Sequence, residues 1–248
     1  MGAETLITGT ASGLGKYLLS HEPGGVGLTR ADAGSLLESL AARGVGTIIH
    51  CAFDRAPRAS DENVALTERL LSLPHDRFVF LSSCDVYSRW PADESSPIDI
   101  DRVRTPTARA KALCEERVLR RARRPLILRA TSLLGPFSKP SNLSRLLQDE
   151  KPQLTLTADS SWNIVLHEDV RQFLEKALRS GLTGTFNLAV SSLIRVDELA
   201  SKLGKSPQYG EFKYEVGEVS NKKAAAVHDS LGMGSWENIQ RFLSSRAR

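Results

Sequence analysis

The sequence predicts an α/β fold in which a doubly wound sheet of parallel strands carries a small C-terminal lobe that binds substrate. Short, continuously apolar segments alternate with amphipathic segments through the first half of the chain, which is typical of parallel strands covered on both faces by helices. The first apolar segment runs directly into a glycine-rich turn, and the pattern becomes less regular after about residue 135. We expect one fold for residues 1–248, with the sheet core at about 3–135 and 162–190 and the lobe at about 136–161 and 191–248.

Strands and helices are predicted to alternate in the first half. Runs of three to six mainly apolar residues indicate the strands, and leucines spaced three or four residues apart indicate the helices. The predicted strands are Thr5–Thr8, Val26–Leu28, Thr47–Ala52, Arg77–Ser82 and Pro125–Arg129. The predicted helices are Leu14–His21, Ser35–Ala42, Glu62–Leu73 and Thr107–Arg121.

The second half is predicted from weaker patterns of the same kind. The predicted strands there are Leu154–Thr157, Trp162–Leu166, Thr185–Ala189 and Phe212–Val219. The predicted helices are Glu168–Leu178, Asp197–Leu203 and Ser235–Leu243.

Composition narrows the functional class. With 41% hydrophobic and 25% charged residues the chain is globular. Its net charge of +4 is mild, and the run Arg120–Arg124 is interpreted as a solvated helix end, so we expect no nucleic-acid partner.

The cysteines lack a CxxC spacing, which favours a reduced, cytoplasmic setting without a metal. No apolar stretch approaches the ~20 residues that span a membrane, and the N-terminus lacks the pattern of a signal peptide.

The glycine-rich turn Thr8–Gly15 lies between the first strand and the first helix. Its pattern, TGxxxGxG, lets the backbone approach a pyrophosphate, while the helix N-terminus supplies N–H groups and the positive end of its dipole. A P-loop is excluded because Tyr17 stands where that motif needs the magnesium-binding Ser or Thr. We therefore predict a Rossmann sheet that binds a dinucleotide through Gly9, Thr10, Ser12, Gly13, Leu14 and Gly15.

This turn resembles that of the short-chain dehydrogenases/reductases, and later segments resemble motifs of their extended, nucleotide-sugar-modifying branch, the NAD(P)-dependent epimerase/dehydratase family. Seven matches in the right order, counting the turn, span most of the chain. The short passage from the second strand to the next helix is similar to dTDP-4-dehydrorhamnose reductases and their relatives. The later segments are Leu81–Ser88, Glu94–Pro97, Ala110–Glu115, Leu128–Pro136, Val165–Val170 and Phe186–Ala189.

The resemblance implies roles for individual residues. Ser83 matches the serine that hydrogen-bonds the substrate oxygen, and Lys111 matches the lysine that holds the nicotinamide ribose and lowers the pKa of the active-site tyrosine. Asn63 matches an asparagine near the site. The tyrosine position itself, four residues before Lys111, is occupied by Thr107. A threonine hydroxyl has no phenol-like pKa near 10 for a lysine to lower.

Another group must therefore move the proton if the chain is an enzyme. The candidates for this group are a bound water, Tyr87 and Asp85. Asp85 stands where some dehydratases of the branch place a catalytic acid; alternatively, it is an aspartate that only stabilises a turn. Tyr209 and Lys213 have the spacing of the missing pair, but they lie beyond the last core strand and are interpreted as a chance match.

The cofactor is predicted to be NADP(H) in preference to NAD(H). No acid follows the strand Val26–Leu28, whereas Arg30 is placed to accept a 2′-phosphate, and Asp32 is expected on the adenine side. The resemblance adds further cofactor contacts at Cys51, Ala52, Ser82, Lys111, Ala130, Thr131 and Ser132.

The resemblance thus implies an NADP(H)-dependent oxidoreductase, a keto-reductase or an epimerase, acting on a nucleotide-linked sugar. The alternative is a cofactor-binding protein of the same fold without turnover, because Thr107 replaces the tyrosine. The expected partner is a small-molecule substrate, with no nucleic acid and no membrane. A homodimer is expected through Glu62–Leu73 and Thr107–Arg121, with Leu66, Leu70 and Leu113 as interface candidates.

Overall fold

A parallel six-stranded sheet forms the centre of the computed structural model, which describes residues 4–29, 33–56 and 59–246. The strand order is β2-β1-β3-β4-β5-β9, and every neighbouring pair is parallel. The predicted fold class is confirmed. These strands are β1 (Thr5–Thr8), β2 (Val26–Leu28), β3 (Val45–His50), β4 (His75–Ser83), β5 (Pro125–Ala130) and β9 (Gly184–Leu188).

Helices cover both faces of the sheet. Because successive strand residues point to opposite faces, Ile7 joins the core under α6, together with Phe173, whereas Leu6 joins the core under α4, together with Val118. The sheet is thus buried on both sides, which explains the continuously apolar strands. The covering helices are α1 (Gly13–Leu19), α2 (Ala33–Arg43), α3 (Ser60–Leu71), α4 (Pro106–Arg121) and α6 (His167–Arg179).

The lobe has a hydrophobic core of its own, built around Trp162, Leu199 and Ile239. Two short sheets support it, a parallel pair of β6 with β8 and an antiparallel pair of β7 with β10. The short strands are β6 (Ser132–Leu134), β7 (Ser161–Trp162), β8 (Ile164–Leu166) and β10 (Ile194–Arg195). β6 and β8 fall in the ranges expected for the sheet core, but Leu134 and Ile164 pack in the hydrophobic core of the lobe. Its helices are α5 (Asn142–Gln148), α7 (Val196–Lys202), α8 (Lys222–Ala225) and α9 (Ser235–Arg246).

The second half departs from the sequence prediction. The strand expected over Trp162–Leu166 is divided at Asn163, whose side chain bonds the backbone N–H and C=O of Val190 at 2.9 and 2.8 Å. The strands predicted over Leu154–Thr157 and Phe212–Val219 are wrong. Single-residue bridges, such as Leu156 with Phe212, take the place of continuous strand pairing there.

Helices α3 and α4 pack side by side on one face of the sheet. Leu70, an expected interface candidate, is fully buried inside the monomer, so it is not exposed to a second copy. Leu119 of α4 is 48% exposed. Within the described ranges, no helix is both long and apolar enough to cross a bilayer.

Candidate active site

The glycine loop stands at the carboxyl end of β1, where close packing excludes side chains. Gly9 has φ +75°, and a Cβ there would lie 2.8 Å from the backbone nitrogen of Ala52. A Cβ on Gly15 would lie 2.5 Å from the carbonyl oxygen of Gly9. Gly13, with φ +60°, would instead direct a Cβ into open space. The loop is thus packed against the sheet on one side and open on the other, which fits the approach of a pyrophosphate to the backbone.

The ends of β1 and β3 are held together beneath this loop. The hydroxyl of Thr8 pairs with His50 Nδ1 at 2.8 Å and accepts a hydrogen bond from Ala52 N at 3.0 Å. Thr67 pairs with the other ring nitrogen of His50 at 3.1 Å. Burial, followed by the positive charge of Lys111, lowers the pKa of His50 to about 3. This histidine is therefore neutral, and its role is structural.

The first turn of α1 completes the loop. Ser12 is the N-cap residue, and its side chain makes no capping hydrogen bond. The side chain of Leu14 is buried in the core, so this residue offers a ligand only its backbone. Thr10 is buried, and its hydroxyl lies beside Gly27 of β2, where a Cβ would approach it to 3.1 Å.

The lobe reaches the glycine loop through the turn after β6. Gly13 N donates a hydrogen bond to the carbonyl of Phe137 at 2.6 Å, and Phe137 has φ +63°. Lys16 Nζ lies 4.7 Å from the centre of the Phe137 ring. A cavity of about 440 Å³ adjoins this turn, with Phe137, Leu147 and Phe242 among its lining residues. Its lining comes from residues 134–148 and 242–246, and its volume is typical of a small-molecule site.

Lys111 projects from α4 to the carboxyl end of the sheet. Its ammonium donates a hydrogen bond to the carbonyl of Leu81 at 2.6 Å and lies 4.6 Å from the centre of the Phe53 ring. Burial, followed by the positive charge of Arg55, lowers the pKa of Lys111 to about 8. The lysine thus still carries its charge at neutral pH. Its charge also acts on His50 and Cys51 at the end of β3.

Ser83 ends β4 and is paired with Asp85 in the 3-10 turn Cys84–Val86. The Ser83 hydroxyl accepts a hydrogen bond from Asp85 N at 3.2 Å and donates one to Asp85 Oδ2 at 3.0 Å. Asp85 is exposed, whereas its neighbours Cys84 and Val86 are buried. This geometry presents a hydroxyl and a carboxylate together at the carboxyl edge of the sheet.

Thr107 and Asn63 both bond the loop that follows β3. The Thr107 hydroxyl donates to the carbonyl of Arg55 at 3.4 Å. The Asn63 amide bonds the backbone N–H and C=O of Asp54, each at 2.8 Å. Both side chains therefore help to position this loop, and Thr107 presents no phenol and no carboxyl group.

Tyr87 is buried in a polar network rather than facing a ligand. Its hydroxyl donates to Asn187 Oδ1 at 2.8 Å and accepts from Arg129 Nη1 at 2.8 Å. Burial raises its pKa to about 12. Since the residue is only 1% exposed, a substrate cannot reach this hydroxyl. Of the proton sources that the sequence left open, the geometry disfavours Tyr87.

The same network joins five of the segments that carry the family resemblance. Arg129 forms a buried ion pair with Glu115 at 2.7 Å and also binds Tyr87. Asn187 accepts from Tyr87, and its backbone N–H donates to Glu94 at 2.9 Å. These segments thus share a structural role, which is to fix β4, β5, α4 and β9 relative to one another.

The other residues predicted to contact the cofactor differ in their burial and in their hydrogen bonds. The Ser82 hydroxyl is buried and, among the described residues, has no hydrogen-bond partner. Thr131 donates to Asn163 at 2.8 Å. Burial raises the pKa of the Cys51 thiol to about 12, so it stays protonated. Ala130 is buried at the end of β5. Arg30 and Asp32 lie outside the described residues.

Sequence reasoning missed one residue whose phenol is affected by Asp85, the lobe residue Tyr214. Burial, followed by the negative charge of Asp85, raises its pKa above the usual range. No motif marks Tyr214, because the two residues are far apart in the chain. In the described parts of the chain, no cluster of His, Cys, Asp or Glu is arranged to hold a metal ion.

The chain is similar to known proteins in both sequence and fold. The model of the NAD dependent epimerase/dehydratase family matches residues 6–188. No curated protein matches the chain. One solved structure with a similar fold is an NAD-dependent NDP-hexosamine 5,6-dehydratase involved in tunicamycin biosynthesis (TM-score 0.78, 19% identity, covering 99% of this chain and 98% of that chain). Another is a UDP-galactose 4-epimerase (TM-score 0.75, 17% identity, covering 98% of each chain). A third is dTDP-4-dehydrorhamnose reductase from Bacillus anthracis in complex with NADP (TM-score 0.74, 15% identity, 99% of this chain and 100% of that chain).

Proposed function

The chain belongs to the NAD dependent epimerase/dehydratase family, and from this we propose that it is an NADP(H)-dependent oxidoreductase, a keto-reductase or an epimerase, that acts on a nucleotide-linked sugar. The observation that carries the proposal is that the predicted site residues share one edge of the sheet. The glycine loop after β1, Lys111 at the ends of β3 and β4, and Ser83 at the end of β4 all lie at the carboxyl ends of parallel strands, where such sheets bind ligands.

The described residues fit a dinucleotide. Gly9, Gly13 and Gly15 would hold the pyrophosphate: a Cβ on Gly9 or Gly15 would meet the protein backbone, whereas a Cβ on Gly13 would point into open space. Lys111 would hold the ribose through its ammonium. When bound, the nicotinamide supplies or accepts the hydride. The preference for NADP(H) rests on Arg30 alone.

A nucleotide sugar is the substrate class that the molecule supports best. The solved relatives include a UDP-galactose epimerase and an NDP-hexosamine dehydratase. The cavity of about 440 Å³ beside Phe137 and Phe242 offers apolar and aromatic walls for the nucleotide part. Ser83 would hydrogen-bond the reacting oxygen of the sugar. Asp85, exposed and within 3.0 Å of Ser83, would accept or return the proton.

Calorimetric titration of the purified protein with NADPH, NADP, NADH and NAD tests the proposal. We expect the NADP(H) forms to bind more tightly, and Arg30→Ala to lower their affinity while leaving NADH binding unchanged. Arg43→Ala is a matched control, because Arg43 lies in α2 and pairs with Glu4 at 2.6 Å. A protein that binds these nucleotides is then screened for turnover of nucleotide sugars and their keto forms. Absence of binding to all four would overturn the enzyme proposal.

A second candidate function is favoured by Thr107, whose hydroxyl is directed at the backbone of Arg55. In this alternative the chain binds the cofactor without turnover. The substitution Thr107→Tyr separates the two candidates. If the wild type is inert and the variant is active, the alternative is correct. If the wild type turns over and the variant adds nothing, another group moves the proton.

A further inference from the structure

One residue in the turn after β6, Phe137, contacts the glycine loop and the helix that follows it with both its backbone and its ring. Its carbonyl accepts a hydrogen bond from Gly13 N at 2.6 Å. Its ring lies beside the ammonium of Lys16, with 4.7 Å between Nζ and the ring centre. A backbone N–H and a lysine ammonium are both groups that bind phosphate in proteins. Phe137 therefore occupies two groups that could serve a phosphate.

The hydrogen bond to Phe137 conflicts with a bound pyrophosphate. The proposed function assigns the backbone of Gly13 to that group, but each residue has a single backbone N–H to donate. The Gly13 N–H is already directed at the carbonyl oxygen of Phe137. This oxygen carries a partial negative charge, so it would repel a phosphate that approached the same N–H. A pyrophosphate can use this N–H only when the carbonyl of Phe137 moves away.

The backbone of Phe137 is strained while it makes these contacts. Its φ is +63°, and among the residues that the structure describes no other residue except glycine has a positive φ. This region is disfavoured for residues with a Cβ, because the Cβ crowds the backbone. The contacts with Gly13 and Lys16 offset the strain, and breaking them would release it. The strain therefore lowers the free-energy cost of moving Phe137 away from the glycine loop.

The segment that carries this residue is exposed between two fixed ends. Residues 136–140, here called the latch, are all exposed. Immediately before the latch, Gly135 is buried and packs so closely on α6 that a Cβ would lie 2.3 Å from the ring of His167. Immediately after it, Ser141 caps the N-terminus of α5 with its side chain. The latch can thus move while its ends stay in place.

We propose that the latch is an autoinhibitory contact, and that a nicotinamide nucleotide binds only after the latch has moved away from the glycine loop. This inference rests on the proposed function. The protein then has a closed and an open state, and closure weakens nucleotide binding in proportion to the closed population. A substitution that destabilises the closed state should therefore tighten nucleotide binding, although it removes no contact to the nucleotide. A preformed cofactor site predicts no such effect.

The hydrogen bond itself can be observed in the free protein. NMR of deuterated, isotope-labelled protein should detect a scalar coupling across the hydrogen bond between Gly13 N and the carbonyl carbon of Phe137. Saturation with NADPH should abolish this coupling. If the coupling were missing from the free protein, or persisted in the saturated protein, the inference would be wrong. This measurement uses the wild type, so it does not depend on the folding of a variant.

Two substitutions at position 137 vary the closed state while both remove the ring. Glycine accepts a positive φ, whereas the β-branched valine does not. The closed state is therefore weaker in Phe137→Val, which should bind NADPH about 5-fold or more tightly than Phe137→Gly, as measured by calorimetry. Lys139→Val and Lys139→Gly are the matched controls, because Lys139 lies in the latch without a positive φ. These two variants should bind NADPH equally.

The outcomes separate this inference from the proposed function. Equal NADPH affinities of Phe137→Val and Phe137→Gly would contradict the latch and leave the proposed function standing. If neither the wild type nor Phe137→Val bound NADPH, NADP, NADH or NAD, the proposed function would fail, and the latch with it.

Discussion

The guanidinium of Arg129 and the carboxylate of Glu115 form a buried ion pair with three N–O contacts of 3.1, 3.1 and 2.7 Å. Their side chains are 6% and 2% exposed. Arg129 lies on β5 and Glu115 on α4, so the pair joins the sheet to the helix that carries Lys111. The position of Lys111 in the proposed site therefore depends on this structural ion pair.

The first prediction concerns this pair. Glu115→Gln should lower the free energy of unfolding by about 3–5 kcal/mol, because it leaves the buried charge of Arg129 without a counter-ion. Urea denaturation measures the change. Glu116→Gln is the matched control: this neighbour pairs with Arg117 at the surface, and its loss should cost less than about 1 kcal/mol. Equal effects of the two substitutions would contradict the prediction.

The second prediction concerns Tyr87. Tyr87→Phe should lower the free energy of unfolding by about 1–3 kcal/mol, because Arg129 and Asn187 each lose a buried hydrogen-bond partner. Cofactor affinity should stay within twofold of wild type, since the hydroxyl does not reach the surface. Denaturation and calorimetry measure the two quantities. If stability were unchanged and only turnover lost, Tyr87 would be a proton carrier after all.

The third prediction concerns the glycine loop. Gly15→Ala should lower stability by about 1–3 kcal/mol and weaken nucleotide binding, because the new methyl group would meet the carbonyl of Gly9 at 2.5 Å. Gly34→Ala, in the first turn of α2, has open space around its Cβ. This control should leave stability unchanged or raise it by less than about 1 kcal/mol. Thermal unfolding with and without NADPH compares the two, and tolerance of Gly15→Ala would show that the loop packs less closely.

The fourth prediction concerns the pH dependence of stability at Lys111. Folding lowers the pKa of this lysine from 10.5 to about 8, so between these pH values the unfolded chain holds a proton that the folded chain has released. The free energy of unfolding therefore rises with pH in this window, relative to a variant without the ionisable group. Urea denaturation of wild type and Lys111→Met at several pH values from 7 to 10.5 measures the difference. A constant difference across that range would show that the lysine is not desolvated.

The sequence by itself determined the parallel sheet and the positions of the glycine loop, Ser83 and Lys111. Each depends on local information: apolar runs in the strands, glycines where no Cβ fits, and, for Ser83 and Lys111, short segments that resemble the family's motifs. The strands can be recognised in the sequence because the sheet is buried on both faces, so that nearly every strand residue must be apolar.

Only the tertiary structure decided which hydroxyls share the site. Tyr87 follows β4 closely in sequence, yet Arg129 and Asn187 hold its hydroxyl in the interior. Tyr214 lies in a segment wrongly predicted as a strand, yet the fold places it near enough to Asp85 for the charge of that carboxylate to affect its phenol. Proximity of this kind depends on how the lobe packs against the sheet, through contacts between segments that are distant in the chain and that no local pattern encodes.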